Sequence, residues 1–283
     1  MKKSEVLRSL KINFANKALL YIILLTGVYI VLFPFAWMLS GSIKANADVF
    51  EYPIRWIPKA ILWRNYIEIW TSIKFGLFYF NTIKITVVIV ILQLTTSSLA
   101  AYAFARIKFP ERNKLFIAYI GTIAVPYQVY MLPQFIIIKK LGLYDTHTGY
   151  ILLQAFTAFG VFLMRQFYMS IPEELSESAR IDGLNEFGIY RRIILPLSKP
   201  ALASLGIFTT VMIWNDFLGP LIYFTSEKNK TIQLGITLFM NSYGTDFALI
   251  MAAAVCSMLP ILIVFFSAQK FFIEGIATTG LKG

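Results

Sequence analysis

Few side chains in this 283-residue sequence stand where they could do chemistry. One histidine, His147, and one cysteine, Cys256, lack the neighbours that a metal site or an activated nucleophile needs. No GxxxxGK[ST] stretch is present to cradle a nucleotide. The acids gather in the polar interval Ser170 to Leu202, SIPEELSESARIDGLNEFGIYRRIILPLSKPAL. Glu173, Glu174, Glu177, Asp182 and Glu186 interleaved with Leu175, Ser178, Ala179 and Ile181 suit docking in a groove of a soluble partner protein. A helix lying on lipid would instead carry mainly basic residues on its polar face. One further acid, Asp216 beside Asn215, falls inside an apolar run, where it either lines a pathway or hydrogen-bonds between helices. Tyr127, Gln128, Tyr130 and Gln134 surround Pro126 and Pro133 in another apolar run. Prolines there free backbone groups that neighbours or a water-filled cavity must satisfy, so this segment is predicted to face a pathway.

The polar interval predicts helix, glycine, helix. Ser170 followed by Glu173 reads as a capping box with Pro172 in the first turn. Gly183 offers a left-handed stop, and Asn185 can cap a second helix that runs through Ile193 and Leu195 into Pro196.

The elements around it are set by composition. With 58% hydrophobic, 16% aromatic and 14% charged residues, the chain has more apolar surface than one soluble core buries. It is an all-α integral membrane protein by this reading, and the net charge of +11 orients it against anionic lipid; a nucleic-acid partner is not expected. Lys2, Lys3, Arg8, Lys11 and Lys17 precede an uncharged run, Ala18 to Ser40, too long for a secretory signal despite Ala45-Asn46-Ala47. Five more spans are predicted at Asn81–Ala105, Leu115–Ile138, Thr146–Met164, Ala201–Phe224 and Phe247–Gln269. The turn holding Arg106, Lys108, Arg112 and Lys114, with Arg165, places both termini in the cytoplasm. Residues 41–75, with Trp56, Trp63 and Trp70, and 225–246 become external loops. Small residues from Thr95 to Ala103 predict close helix packing for the second span.

Glu177-Ser178-Ala179, three residues, Gly183, nine residues, then Ile193-x-Leu195-Pro196 resembles the EAA motif of ABC importer permeases, with Ser178 in place of the usual Ala. Ala101 to Arg106, Ile181-Asp182-Gly183, Trp214 to Phe217 and the tail ending Leu281-Lys282-Gly283 extend the similarity to the maltose-type subunit of the carbohydrate-uptake branch. Asp216 stands where Glu is frequent and Gly219 where a bulky residue is frequent. The resemblance implies a type I ABC importer transmembrane domain in a bacterial or archaeal cell membrane. Residues 1–75 would form the N-terminal segment with the first span and external loop, 76–272 the domain with its coupling segment at 170–200, and 273–283 a cytoplasmic tail. It implies a non-enzymatic permease subunit working with a second permease, an ATPase dimer and an external solute-binding protein; ATP and Mg reside on the ATPase and no cofactor on this chain. Glu177, Ser178, Ala179, Asp182, Gly183, Ile193, Leu195 and Pro196 would couple to the ATPase. Tyr127, Gln128, Tyr130, Gln134, Asn215 and Asp216 would be available to a sugar, with glycerol phosphate or another polyol as the alternative substrate. A secondary transporter would need intramembrane acids or inverted repeats, and beyond Asp216 neither is found.

Overall fold

A computed structural model describes the backbone of residues 2–241 and 244–280 and the side chains of residues 17–240, 244–267 and 269. The last part of the basic-residue and tail expectations, Lys2 to Lys11 and Gly275 to Gly283, lies outside the described side chains. Helices follow in the order α1 (Lys2–Ser42), α2 (Arg64–Ser72), α3 (Phe75–Arg106), α4 (Arg112–Gly121), α5 (Tyr127–Lys140), α6 (His147–Gln154) and α7 (Ala158–Ser170). Then come α8 (Glu174–Ile181), α9 (Glu186–Ile189), a π turn (Tyr190–Ile194), α10 (Leu195–Leu197), α11 (Lys199–Trp214), α12 (Leu218–Tyr223), α13 (Ile232–Ile236) and α14 (Phe247–Gly280). A short antiparallel hairpin pairs β1 (Met240–Asn241) with β2 (Gly244–Thr245).

Three helices are long and apolar enough to cross a membrane unbroken: Lys17–Ser42 within α1, α3, and Phe247–Ser267 within α14. Three further apolar stretches are helix pairs bent at a break: Arg112–Ala124 with α5 by 98°, α6 with α7 by 41°, and Glu186–Leu197 with α11 by 75°. One crossing per bent pair gives the six expected. The fourth span, predicted as a single helix, is therefore corrected to a broken one, and the fifth, predicted as Ala201–Phe224, is interrupted between Trp214 and Leu218. Thr157 adopts an extended conformation (φ −138°, ψ 125°) and caps α7, which stops α6. The apolar run predicted from Ala201 to Phe224 stops at Trp214, because the Asp216 carboxylate caps a new helix, its Oδ1 accepting from Gly219 N (3.1 Å).

Contacts divide the chain into two compact units. One comprises Met1–Ser72 with Phe239–Cys256. Within it the segment after α1 is ordered by its own polar groups: Asn65 Nδ2 donates to the Ser42 and Lys44 carbonyls (2.9 and 2.8 Å), and Lys44 Nζ lies 5.2 Å from the Trp37 ring. Asn46 joins this segment to the start of α14, donating to Thr245 O (3.1 Å) and accepting from Phe247 N (2.9 Å).

The other unit comprises Ile73–Leu238 with Ser257–Gly283. Its centre is α3, packed most closely on α7 and then on α11. Gly160 makes the α3–α7 approach possible, since a Cβ there would run into Ser97. Ser97, Ser98 and Ala101 are buried on that face, as the small-residue run predicted. Residues 225–238, predicted as part of a polar loop, instead fold back: Asn81 Nδ2 donates to the Lys228 and Lys230 carbonyls (2.8 and 2.9 Å), Thr82 Oγ1 accepts from Ile232 N (2.8 Å), and Ile232 is fully buried. The apolar face of Ile232 and Leu234 outweighs the charges that flank it.

Asp145, left-handed at φ +55°, fastens the same segment. Its Oδ1 accepts from the Thr225 and Ser226 backbone N–H groups (2.9 and 3.0 Å) and from Asn229 Nδ2 (3.1 Å), and its Oδ2 from the Ser226 hydroxyl. Burial works against the charge, but these donors outweigh it and hold the carboxyl at about 2. A carboxylate depressed in the fold stabilises it above the unfolded value of about 3.9 and ceases to as pH falls through the folded one. Asp145→Ala is expected to ease local opening at Thr225 and Ser226 by about 2 kcal/mol, or ~30-fold in amide exchange. In the unsubstituted protein the protection of these amides should survive acidification to pH ~3 and fail only as pH approaches 2.

Candidate functional site

The helix–glycine–helix segment is built where α3 and α7 end. Arg106, the last residue of α3, donates through Nη2 to the Tyr168 and Ile171 carbonyls (2.5 Å each) and so closes α7. The predicted capping box does not form. Ser170 belongs to α7 and its Oγ donates back to Phe167 O (2.7 Å), while α8 opens at Glu173 without a side-chain cap. Pro172 is the reason: it forces Ile171 into an extended conformation (ψ 130°), which ends α7 and delays the next helix.

The end of α8 matches its sequence. Leu184 N donates to Ala179 O and Gly183 N to Arg180 O (3.0 Å each), with Gly183 at φ +83°; this is a Schellman motif, and only glycine takes that φ without strain. Ala179 is 4% exposed and packs with Leu184 on the core of its own chain, as do Ile193 and Leu195. Glu177, Ser178, Asp182, Gly183 and Pro196 face outward. Beside them Ile181 is 87% exposed and Phe187 64% exposed. Asn185 Oδ1 accepts from Gly188 N (2.8 Å), as expected of a cap.

A clasp that the sequence did not reveal fixes this segment to α3. Tyr102, buried on α3, donates its hydroxyl to Glu186 Oε2 (2.7 Å), and Arg180 Nε of α8 donates to Glu186 Oε1 (3.0 Å). The Tyr102 hydrogen bond lowers the Glu186 carboxyl below its ordinary range, against burial and with help from Arg180; the Arg180–Glu186 hydrogen bond in turn raises the Arg180 guanidinium. One turn along α3, Ser98 Oγ shares hydrogen bonds with the hydroxyls of Tyr168 on α7 (2.6 Å) and Tyr190 in the π turn (2.8 Å). Pro196 lies just past that turn; lacking an N–H, it leaves the Arg192 carbonyl without its usual helical donor, and the helix widens instead.

The second set of candidates divides. Asp216 Oδ2 accepts from the Tyr150 hydroxyl of α6, so Asp216 links helices; Asn215 Nδ2 donates to Val211 O (2.9 Å) at the exposed end of α11. Tyr127 and Tyr130 rings meet edge to face at 5.3 Å, Gln134 Oε1 accepts from the Tyr223 hydroxyl (3.4 Å), and Gln128 is exposed. Of these residues only Tyr130 lines the half-open cavity of about 580 Å³ between the broken spans. Its wall brings together the breaks after α4 and α6 with the middle of α3 and the C-terminal half of α11. Gln93 and Thr209 are its buried polar wall: Gln93 Nε2 donates to Gln154 O (2.7 Å) and Gln93 Oε1 accepts from Thr209 Oγ1 (2.9 Å). Gln93 and Gln154 were the legible signal, two amides interrupting apolar runs. Among the described residues no three His, Cys, Asp or Glu side chains converge to hold a metal.

A family model described as the binding-protein-dependent transport system inner membrane component matches residues 93–277, and the chain belongs to this family. It is 34% identical over 258 residues to the arabinooligosaccharides transport system permease protein AraQ of Halalkalibacterium halodurans, covering 90% of this chain and 92% of that one. It is 33% identical over 264 residues to the sn-glycerol-3-phosphate transport system permease protein UgpE of Yersinia enterocolitica, covering 90% of this chain and 94% of that one. A chain from the crystal structure of a bacterial ABC transporter involved in the import of the acidic polysaccharide alginate superposes with a TM-score of 0.80 at 26% identity, over 89% of this chain and 94% of that one. The fold is thus the type I ABC importer permease, in an integral membrane protein.

If the clasp acts as one unit, its members should be energetically coupled. Tyr102→Phe and Glu186→Ala are each expected to cost about 1–2 kcal/mol in thermal unfolding of the detergent-solubilised protein, and the double variant less than their sum by about 1 kcal/mol.

Proposed function

We propose that this chain is one of two permease subunits in an ATP-driven, binding-protein-dependent sugar importer. A solute-binding protein outside the cell delivers a carbohydrate to a pathway shared by the two permeases, and an ATPase dimer carrying ATP and Mg docks on α8 from the cytoplasm. The observation that carries this is α8 itself: a short, surface-facing helix held rigidly at both ends, presenting Glu177 and Asp182 beside the exposed Ile181 and Phe187. Glu177 supplies a charge-assisted contact to a basic residue of the ATPase. Ala179 holds the helix to its own chain, and Gly183 sets the angle at which it meets α9.

Arg106, Arg112 and Arg165 lie at the end of the bundle that bears α8, and the preference for basic residues on the inner side supports a cytoplasmic position for that end. Closure of the ATPase subunits then moves α8 as a lever and reorients the spans between outward-open and inward-open states. Relatives named for arabinooligosaccharide and for glycerol-3-phosphate transport support a carbohydrate or polyol substrate.

Purification of the tagged chain from its native membrane in mild detergent is expected to bring with it a P-loop ATPase and a second six-span permease. Glu177→Lys should lower recovery of the ATPase at least about tenfold. Gly183→Pro should leave membrane insertion intact while uptake per ATP hydrolysed collapses. Recovery of the chain alone, or normal uptake in both variants, would sink the proposal.

A further inference from the structure

We infer that the cavity between the broken spans is a substrate site for an uncharged oligosaccharide; this rests on the importer reading above and narrows its substrate. The cavity's fourteen lining residues include no charged side chain. This chain's side of the shared pathway therefore offers a phosphate or a uronate no counter-charge, and an unpaired charge there costs several kcal/mol. The carboxylate closest in the chain of contacts has the wrong sign for an anion: Asp216 is bound by Tyr150, whose hydroxyl also meets the Gln154 side chain.

What the wall does offer matches a neutral sugar. The side chains of Gln154, Thr157 and Tyr130 carry hydroxyl and amide groups able to donate and accept in turn. Gln93 and Thr209 are committed to each other and to the Gln154 carbonyl, so they shape the site instead of swapping partners with each substrate. Three phenylalanines stand among these groups, Phe156 at 68% exposure and Phe159 and Phe208, at 40% and 39%, meeting edge to face at 5.9 Å. A pyranose or furanose has an apolar C–H face and a hydroxyl rim, and aromatic faces interleaved with amides and hydroxyls are its complement. The volume of about 580 Å³ lies within the range of small-ligand sites.

The test uses the complete importer, with its second permease, ATPase and binding protein, in proteoliposomes supplied with ATP. The probes are oligosaccharides released from plant and microbial polysaccharides, separated by anion exchange into a neutral and an acidic pool, together with glycerol 3-phosphate; uptake is read by mass spectrometry. Uptake confined to the neutral pool, with KM raised about tenfold by Phe156→Ala and by Gln154→Leu and kcat changed less, is the expected result. Uptake of acidic oligosaccharides or glycerol 3-phosphate would overturn the inference and leave the importer reading standing. Neutral uptake with an unchanged KM in both variants would overturn the site. An assembled complex that moves nothing from any pool would overturn the importer reading and the inference with it.

Discussion

In hydrocarbon an unpaired peptide group costs several kcal/mol, so a helix that stops inside a membrane must find partners for its freed backbone. The arrangement of this chain follows from how that demand is met. The break between α6 and α7 frees the Gln154 and Ala155 carbonyls, and α3 answers both: Gln93 Nε2 donates to the first (2.7 Å) and Thr96 Oγ1 to the second (2.9 Å). The end of α11 frees Trp214 O, which accepts from Gln233 Nε2 (3.4 Å), and α12 is restarted by Asp216. At the break after α4, Val125 N returns to Thr122 O (3.2 Å) and Pro126 has no N–H to satisfy. Polar residues in the spans are thus largely there to permit the breaks, and the breaks open the cavity.

The same logic governs the end of the bundle at Arg106. Arginines there give their N–H groups to backbone carbonyls: Arg106 to Tyr168 and Ile171, Arg112 to Ile107 (3.3 Å) and Arg165 to Phe104 (3.1 Å). Arg165 also lies flat on Phe116, 4.0 Å from the ring centre. Helix ends that would otherwise fray are tied to side chains of a neighbour, so α8 leaves the membrane from a stiff base. A lever needs such a base, because motion of a loosely held helix would be lost locally.

Much of this was legible. Gly183 and Asn185 act as the sequence indicates, because a left-handed stop and an Asn cap depend on a few adjacent residues. Span positions were readable from apolar runs, since bilayer thickness sets their length. The breaks in the fourth and fifth spans were not, because Thr157 and Asp216 halt helices only when Gly160 and Gly219, three residues on, are free to be capped, a local competition that hydropathy does not register. The burial of Ile232 escaped notice because a short apolar patch amid Glu227, Lys228 and Lys230 looks like loop until Asn81 and Thr82 are seen to receive it. Glu186 escaped for the opposite reason: in a row of acids nothing distinguishes the one whose partner, Tyr102, lies 84 residues earlier.

A single helix joins the helix–glycine–helix segment proposed for docking to the cavity. Along α3, Gln93 and Thr96 hold the break that opens the cavity, and Ser98 and Tyr102 hold the π turn and Glu186. Nine residues of helix place Gln93 and Tyr102 about 13 Å apart along its axis. No flexible joint intervenes: the stretch is continuous helix without glycine or proline. A displacement of α8 that pulls on Glu186 therefore acts on Tyr102 and, through a rigid rod, on the partners of the Gln154 and Ala155 carbonyls. Because those carbonyls accept from side chains of α3, shifting α3 and keeping the break satisfied are coupled, and the cavity changes shape with it.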